Sequence, residues 1–162
     1  MSRSLTGAML TQTLAASLMP AIFVQLDTAV GSTYFWSGYG SISWDSHTWT
    51  GVGNFLRVPD ISEMNKVEAA GSQLILSGVD ASLISSVRDD LRRYLPCKVW
   101  IGAMSAPQTV VADPYLALNG RVDSASVMAD GRTAIITVAI ENRLINMTIP
   151  RYRFYSDFDQ RI

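Results

Sequence analysis

The run Trp44-Asp45-Ser46-His47-Thr48-Trp49-Thr50-Gly51-Val52-Gly53 decides how the rest of the chain is read. Aromatic and β-branched side chains stand on both sides of a short Asp-Ser-His turn, a setting that favours paired strands around a tight reversal. The segment therefore predicts a hairpin. Gly51 and Gly53 are expected to break the ladder at a corner where the backbone takes a conformation closed to other residues, and Pro59 sets a second bend. Beyond it, Gln73-Leu74-Ile75-Leu76-Ser77 alternates faces as a strand that stops at Gly78, and Asp80 opens a helix. Trp44, Trp49, Gly51 and Gly53 are the structural residues on which this reading turns.

Towards the N-terminus, residues 21–27 alternate, with Ile22, Val24 and Leu26 on one face and Phe23 and Gln25 on the other. Residues 33–36 and 40–44 predict two further short strands around the Gly38-Tyr39-Gly40 reversal, giving an antiparallel meander. Upstream, Leu5, Ala8, Met9, Ala15 and Leu18 recur near helical spacing between a Ser4 N-cap and a Pro20 stop. A short amphipathic helix is expected there, lying on its own domain or on a neighbouring subunit. Arg3 precedes an uncharged run, but Thr6, Thr11, Gln12 and Thr13 interrupt it, so it does not read as a secretory signal. No run is long and apolar enough to span a bilayer.

Towards the C-terminus, residues 80–95 carry an apolar stripe of Leu83, Ile84, Val87, Leu91, Tyr94 and Leu95 that Pro96 ends. This predicts a central helix packed on the sheet, anchored by Leu83, Val87 and Leu91. Residues 97–103 then alternate, Cys97, Val99 and Ile101 opposing Lys98 and Trp100. Strands are expected over 109–112 and 116–125, separated by Asp113-Pro114, and Asp130-Gly131 signals a hairpin between 122–128 and 132–142. The second strand of that hairpin is apolar on both sides, so both of its faces should be at least partly covered. After Pro150 the pattern dissolves into Arg151, Tyr152, Arg153, Phe154, Tyr155 and Phe158, residue types suited to an arm that grips a partner. The expected division is an N-terminal helix over 1–20, a β-rich domain over 21–149 and an arm over 150–162. The fold class is mainly β, a β-sandwich or partly open barrel, with one central α-helix and a short N-terminal helix.

At 162 residues the chain can bury a core without staples. It is 48% hydrophobic and only 17% charged, against about 25% charged in an average soluble domain, which points to extensive apolar contact with other subunits. A net charge of −1 supplies no overall field towards nucleic acid or acidic membranes. With one histidine, His47, and one cysteine, Cys97, zinc sites rich in these ligands are excluded, and a His-based dyad has a single candidate base. Cys97 reads as a small core residue and His47 as an exposed turn residue. The acidic residues match no calcium-loop spacing, and the paired glycines are too short for a phosphate loop. Asp60 and Glu63 are the first carboxylate pair to consider for glycoside hydrolysis. No catalytic residue, metal or cofactor is expected. Asn146-Met147-Thr148 is a sequon in form only.

The aromatics Tyr34, Phe35, Trp36, Tyr39, Trp44 and Trp49 are dense enough to serve either cross-strand packing or carbohydrate binding. No basic residues interleave with them as nucleic-acid binding would require.

The Trp49-Thr50-Gly51-Val52-Gly53 corner, the Asp60-Ile61-Ser62 segment, a strand ending Leu76-Ser77-Gly78-Val79 and the helix after it resemble hub-type proteins at the tail tip of long-tailed phages and gene transfer agents. The resemblance covers residues 21–160. It implies a tail-tube-like or hub-like β fold and a structural, non-enzymatic virion protein that forms a ring around the tail channel. The implied partners are copies of itself, the distal tail protein, the hub and the fibres, with DNA passing through the channel without specific binding. In those proteins an Arg/Tyr-rich stretch ending in Asp-Gln leads into a further segment, whereas this chain stops at Ile162, so the arm is expected to be truncated. The alternative function is a carbohydrate-binding β-domain for receptor attachment; a small hydrolase is the third reading.

Overall fold

The alternation of residues 21–27 builds β1 (Met19–Asp27), which pairs antiparallel with β2 (Ser32–Trp36) on one side and with β7 (Pro96–Ala106) on the other. The computed structural model describes residues 5–52, 56–57, 71–77, 94–106, 109–111, 113–129 and 134–142. The remaining strands are β3 (Ser41–Trp44), β4 (His47–Gly51), β5 (Leu56–Arg57), β6 (Gly71–Ser77), β8 (Thr109–Val110), β9 (Tyr115–Ala129) and β10 (Ala134–Asn142). Among the described residues all ten strands belong to one sheet in the order β3-β4-β2-β1-β7-β9-β10-β6-β5, with β8 continuing along β7 beyond the end of β9. The chain is mainly β, as expected. Among the described residues the ladder stays open, with β3 and β5 at its edges.

Strand β9 joins the two halves. Its first residues, from Tyr115 to Arg121, pair with β7, while Gly120 to Ala129 pair with β10, so the strand changes partner over Gly120–Val122 with a register irregularity beside it. Strands that pass from one set of partners to another at a bulge are how β structures turn corners. Gly120 suits this crossing because a methyl group on it would collide with the carbonyl oxygen of Glu141 and lie 2.8 Å from Cγ2 of Ile140. The β9–β10 pairing runs from Ala134 opposite Ala129, leaving four residues for the connection that Asp130-Gly131 predicts; that connection lies outside the described residues.

Because side chains alternate along a strand, the sheet has a core on each face. One cluster takes Val24, Leu26, Phe35, Cys97 and Val99 from one half of the sheet and Leu74, Ile136, Val138 and Ile140 from the other. The second takes Ala21, Phe23, Trp36, Ile42, Trp49 and Met104. On β10 the expected cover is unequal: Ile136, Val138 and Ile140 are buried, whereas Thr137 and Ala139 are half-buried and Ile135 is exposed.

Three expectations change. The N-terminal helix, α1 (Gly7–Thr13), is shorter than the periodicity suggested, and its N-cap is Thr6, whose hydroxyl accepts from the Met9 N–H at 3.5 Å, rather than Ser4. With only Met9 buried, the helix has little packing to sustain further turns. Pro20 is no helix stop but the second residue of β1; it faces Ala103 of β7 and precedes the β1–β2 ladder, which starts at Phe23, so no strand partner needs the missing N–H. Finally, β2, β3 and β4 do not form a meander. β4 inserts between β3 and β2 and runs parallel to β2, with Phe35 opposite Thr50 and Trp36 opposite Gly51. The central helix expected over 80–95, with Leu83, Val87 and Leu91, lies outside the described residues, except that Tyr94 has a φ of 69° and Leu95 immediately precedes β7.

Candidate functional site

The hairpin of β3 and β4 is the one that Trp44 to Trp49 predicts. Ser41 faces Thr50, Ile42 faces Trp49, Ser43 faces Thr48 and Trp44 faces His47, leaving Asp45 and Ser46 as a two-residue turn. Both turn residues have positive φ, 50° and 60°, which matches the twist of the flanking strands. The Trp49 indole N–H donates to the Trp44 carbonyl at 2.9 Å, so a polar group carried into the core by a large apolar ring is satisfied locally.

Around Trp49 four other aromatic side chains converge. Phe23, Tyr34, Trp44 and Trp100 stand 5.4, 5.0, 5.0 and 5.8 Å from its ring, mostly edge to face, and Phe23 also meets Trp44 at 4.9 Å. Trp49 is buried, whereas Trp44 and Trp100 are half-buried. His47 is exposed, as expected, and stacks on Tyr34 at 4.3 Å and 15°. Of the six aromatics read from the sequence, Tyr39 alone is exposed. Phe23 and Trp100 complete the cluster and were not counted with it; their signal was their shared face, since Phe23 opposes Trp100 in the β1–β7 register.

Gly51 serves a different purpose from the one expected. Its φ is not positive, so its conformation is open to other residues. What demands glycine is the backbone of the 37–40 loop, which crosses directly over it: an added methyl would strike the Gly38 carbonyl oxygen and lie 2.6 Å from the oxygen and 2.8 Å from the nitrogen of Gly40. The Gly51 N–H donates to the Gly40 carbonyl at 2.7 Å, and Val52 N–H donates to the Trp36 carbonyl at 3.0 Å. The Trp36 ring lies over Gly38 and gives its indole N–H to the Gly40 carbonyl at 3.0 Å. This crossing holds β4 against β2 and excludes the meander. Gly53 lies outside the described residues.

Among the described residues no group of three or more His, Cys, Asp or Glu could hold a metal ion. Cys97 is fully buried, and burial, followed by the nearby Asp27 charge, pushes its thiol up to about 12, which suits a core residue and not a nucleophile. Asp27 accepts hydrogen bonds from the Ser32 hydroxyl at 2.7 Å and the Gln25 amide at 2.9 Å. The Asp60 and Glu63 pair lies outside the described residues, as do Arg151, Tyr152, Arg153, Phe154, Tyr155 and Phe158 of the arm.

α1 buries Met9 and sends the Gln12 amide to the Met104 carbonyl at 3.4 Å, while Leu10, Leu14 and Leu18 are exposed. At the far end of the sheet Met128 and Ile135, opposite one another on β9 and β10, are also exposed. The sequence leaves open whether the N-terminal helix lies on its own domain or on a neighbouring subunit, whereas it predicts cover on both faces of β10, which the exposed Ile135 lacks. Among the described residues no helix is long and apolar enough to cross a membrane.

The architecture has a counterpart among solved structures. A chain from the virion of a native gene transfer agent particle superposes with a TM-score of 0.68 at 11% identity. The match covers 93% of this chain and 49% of that one, so this chain spans about half the length of its structural neighbour. At this identity the likeness is one of fold. No family model matches the sequence, and no curated protein does.

Proposed function

We propose that the chain is a structural, non-enzymatic subunit of a phage-like tail tip, one that assembles as a ring around the tail channel and links the tail tube to the hub or fibres. The observation that carries this reading is the shared β architecture with a gene transfer agent virion chain over 93% of the sequence. The low charge content and the exposed leucines of the N-terminal segment agree with it, because apolar surface on a soluble chain is commonly covered by other subunits. Its partners in this reading are copies of itself, the distal tail protein, the hub and the fibres, and the arm of 150–162 is a further contact. A net charge of −1 suits a channel that DNA crosses without specific binding.

Carbohydrate binding is less favoured, since the rings it would use are packed against one another around Trp49 and leave Tyr39 as the exposed member of the expected set. The test is particle composition and labelling. Purified particles from producing cells should contain the chain in several copies, and antibody against it should mark the tail end in electron micrographs. Particles that lack the chain, or label confined to the capsid, would overturn the proposal.

A further inference from the structure

We draw no further inference here: the strongest candidate, the exposed apolar patch of Leu10, Leu14 and Leu18 in and just after α1, is an unpartnered face, and nothing in the structure shows what covers it.

Discussion

Replacing Gly51 by alanine tests the crossing that sets the order of β2, β3 and β4. At a site with permissive φ and free space, this change stabilises by about 0.4–1 kcal/mol by restricting the unfolded chain. Here the added methyl meets three backbone atoms, the Gly38 oxygen and both the oxygen and nitrogen of Gly40, and no side-chain rotation can relieve it. Overpacking of this kind costs about 1–3 kcal/mol. Separating the strands also weakens the 2.7 Å Gly51 to Gly40 hydrogen bond, worth about 1 kcal/mol. The net expectation for Gly51→Ala is a loss of about 2–3 kcal/mol, a drop in Tm of about 4–12 °C for a chain of this size. Urea titration followed by tryptophan fluorescence reads both the stability and the environment of Trp36 and Trp49, which flank the crossing. Gly7→Ala is the control: nothing lies within 4 Å of its added methyl, and as the first residue of α1 it should gain up to about 1 kcal/mol. A Gly51→Ala chain as stable as the wild type, or more so, would refute the steric argument and with it the reason given for the parallel β2–β4 pairing.

Trp49→Ala should cost about 3–5 kcal/mol and loosen Phe23, Trp44 and Trp100 together, measured as a lower urea midpoint with loss of near-ultraviolet circular dichroism. Cys97 gives a pH prediction: its folded thiol, near 12, lies above the ordinary 9.0, so the unfolded chain releases the proton first and stability falls as pH rises from about 9 towards 12. The limiting slope for that one proton is about 1.4 kcal/mol per pH unit, and it should be absent from Cys97→Ala when both chains are titrated in parallel. Deleting 151–162 should leave the unfolding midpoint nearly unchanged while abolishing assembly, read as the mass of the purified particle component.

The sequence by itself determined the elements whose signals are local. The Asp45-Ser46 turn between two tryptophans, the alternation of residues 21–27, the pairing of β9 with β10 around Asp130-Gly131 and the burial of Cys97 and Val99 follow from side-chain period, turn chemistry and apolarity within a few residues, whereas Ile101, expected on the face of Cys97 and Val99, is exposed beyond the register shift at Val99–Trp100. What the tertiary structure decided are the relations between distant segments. Strand order is one: nothing in residues 32–51 distinguishes a meander from an inserted parallel strand, because the choice depends on the 37–40 backbone passing over Gly51. The transfer of β9 between partners at Gly120 is another, set by Cys97 and Asn142 arriving on opposite sides of it from elsewhere in the chain. The exposed leucines are the third. Periodicity marks a helix as amphipathic, but which side faces the protein depends on the surface available, and α1 finds room beside Met104 for Met9 and Gln12 alone, leaving Leu10 and Leu14 in solvent.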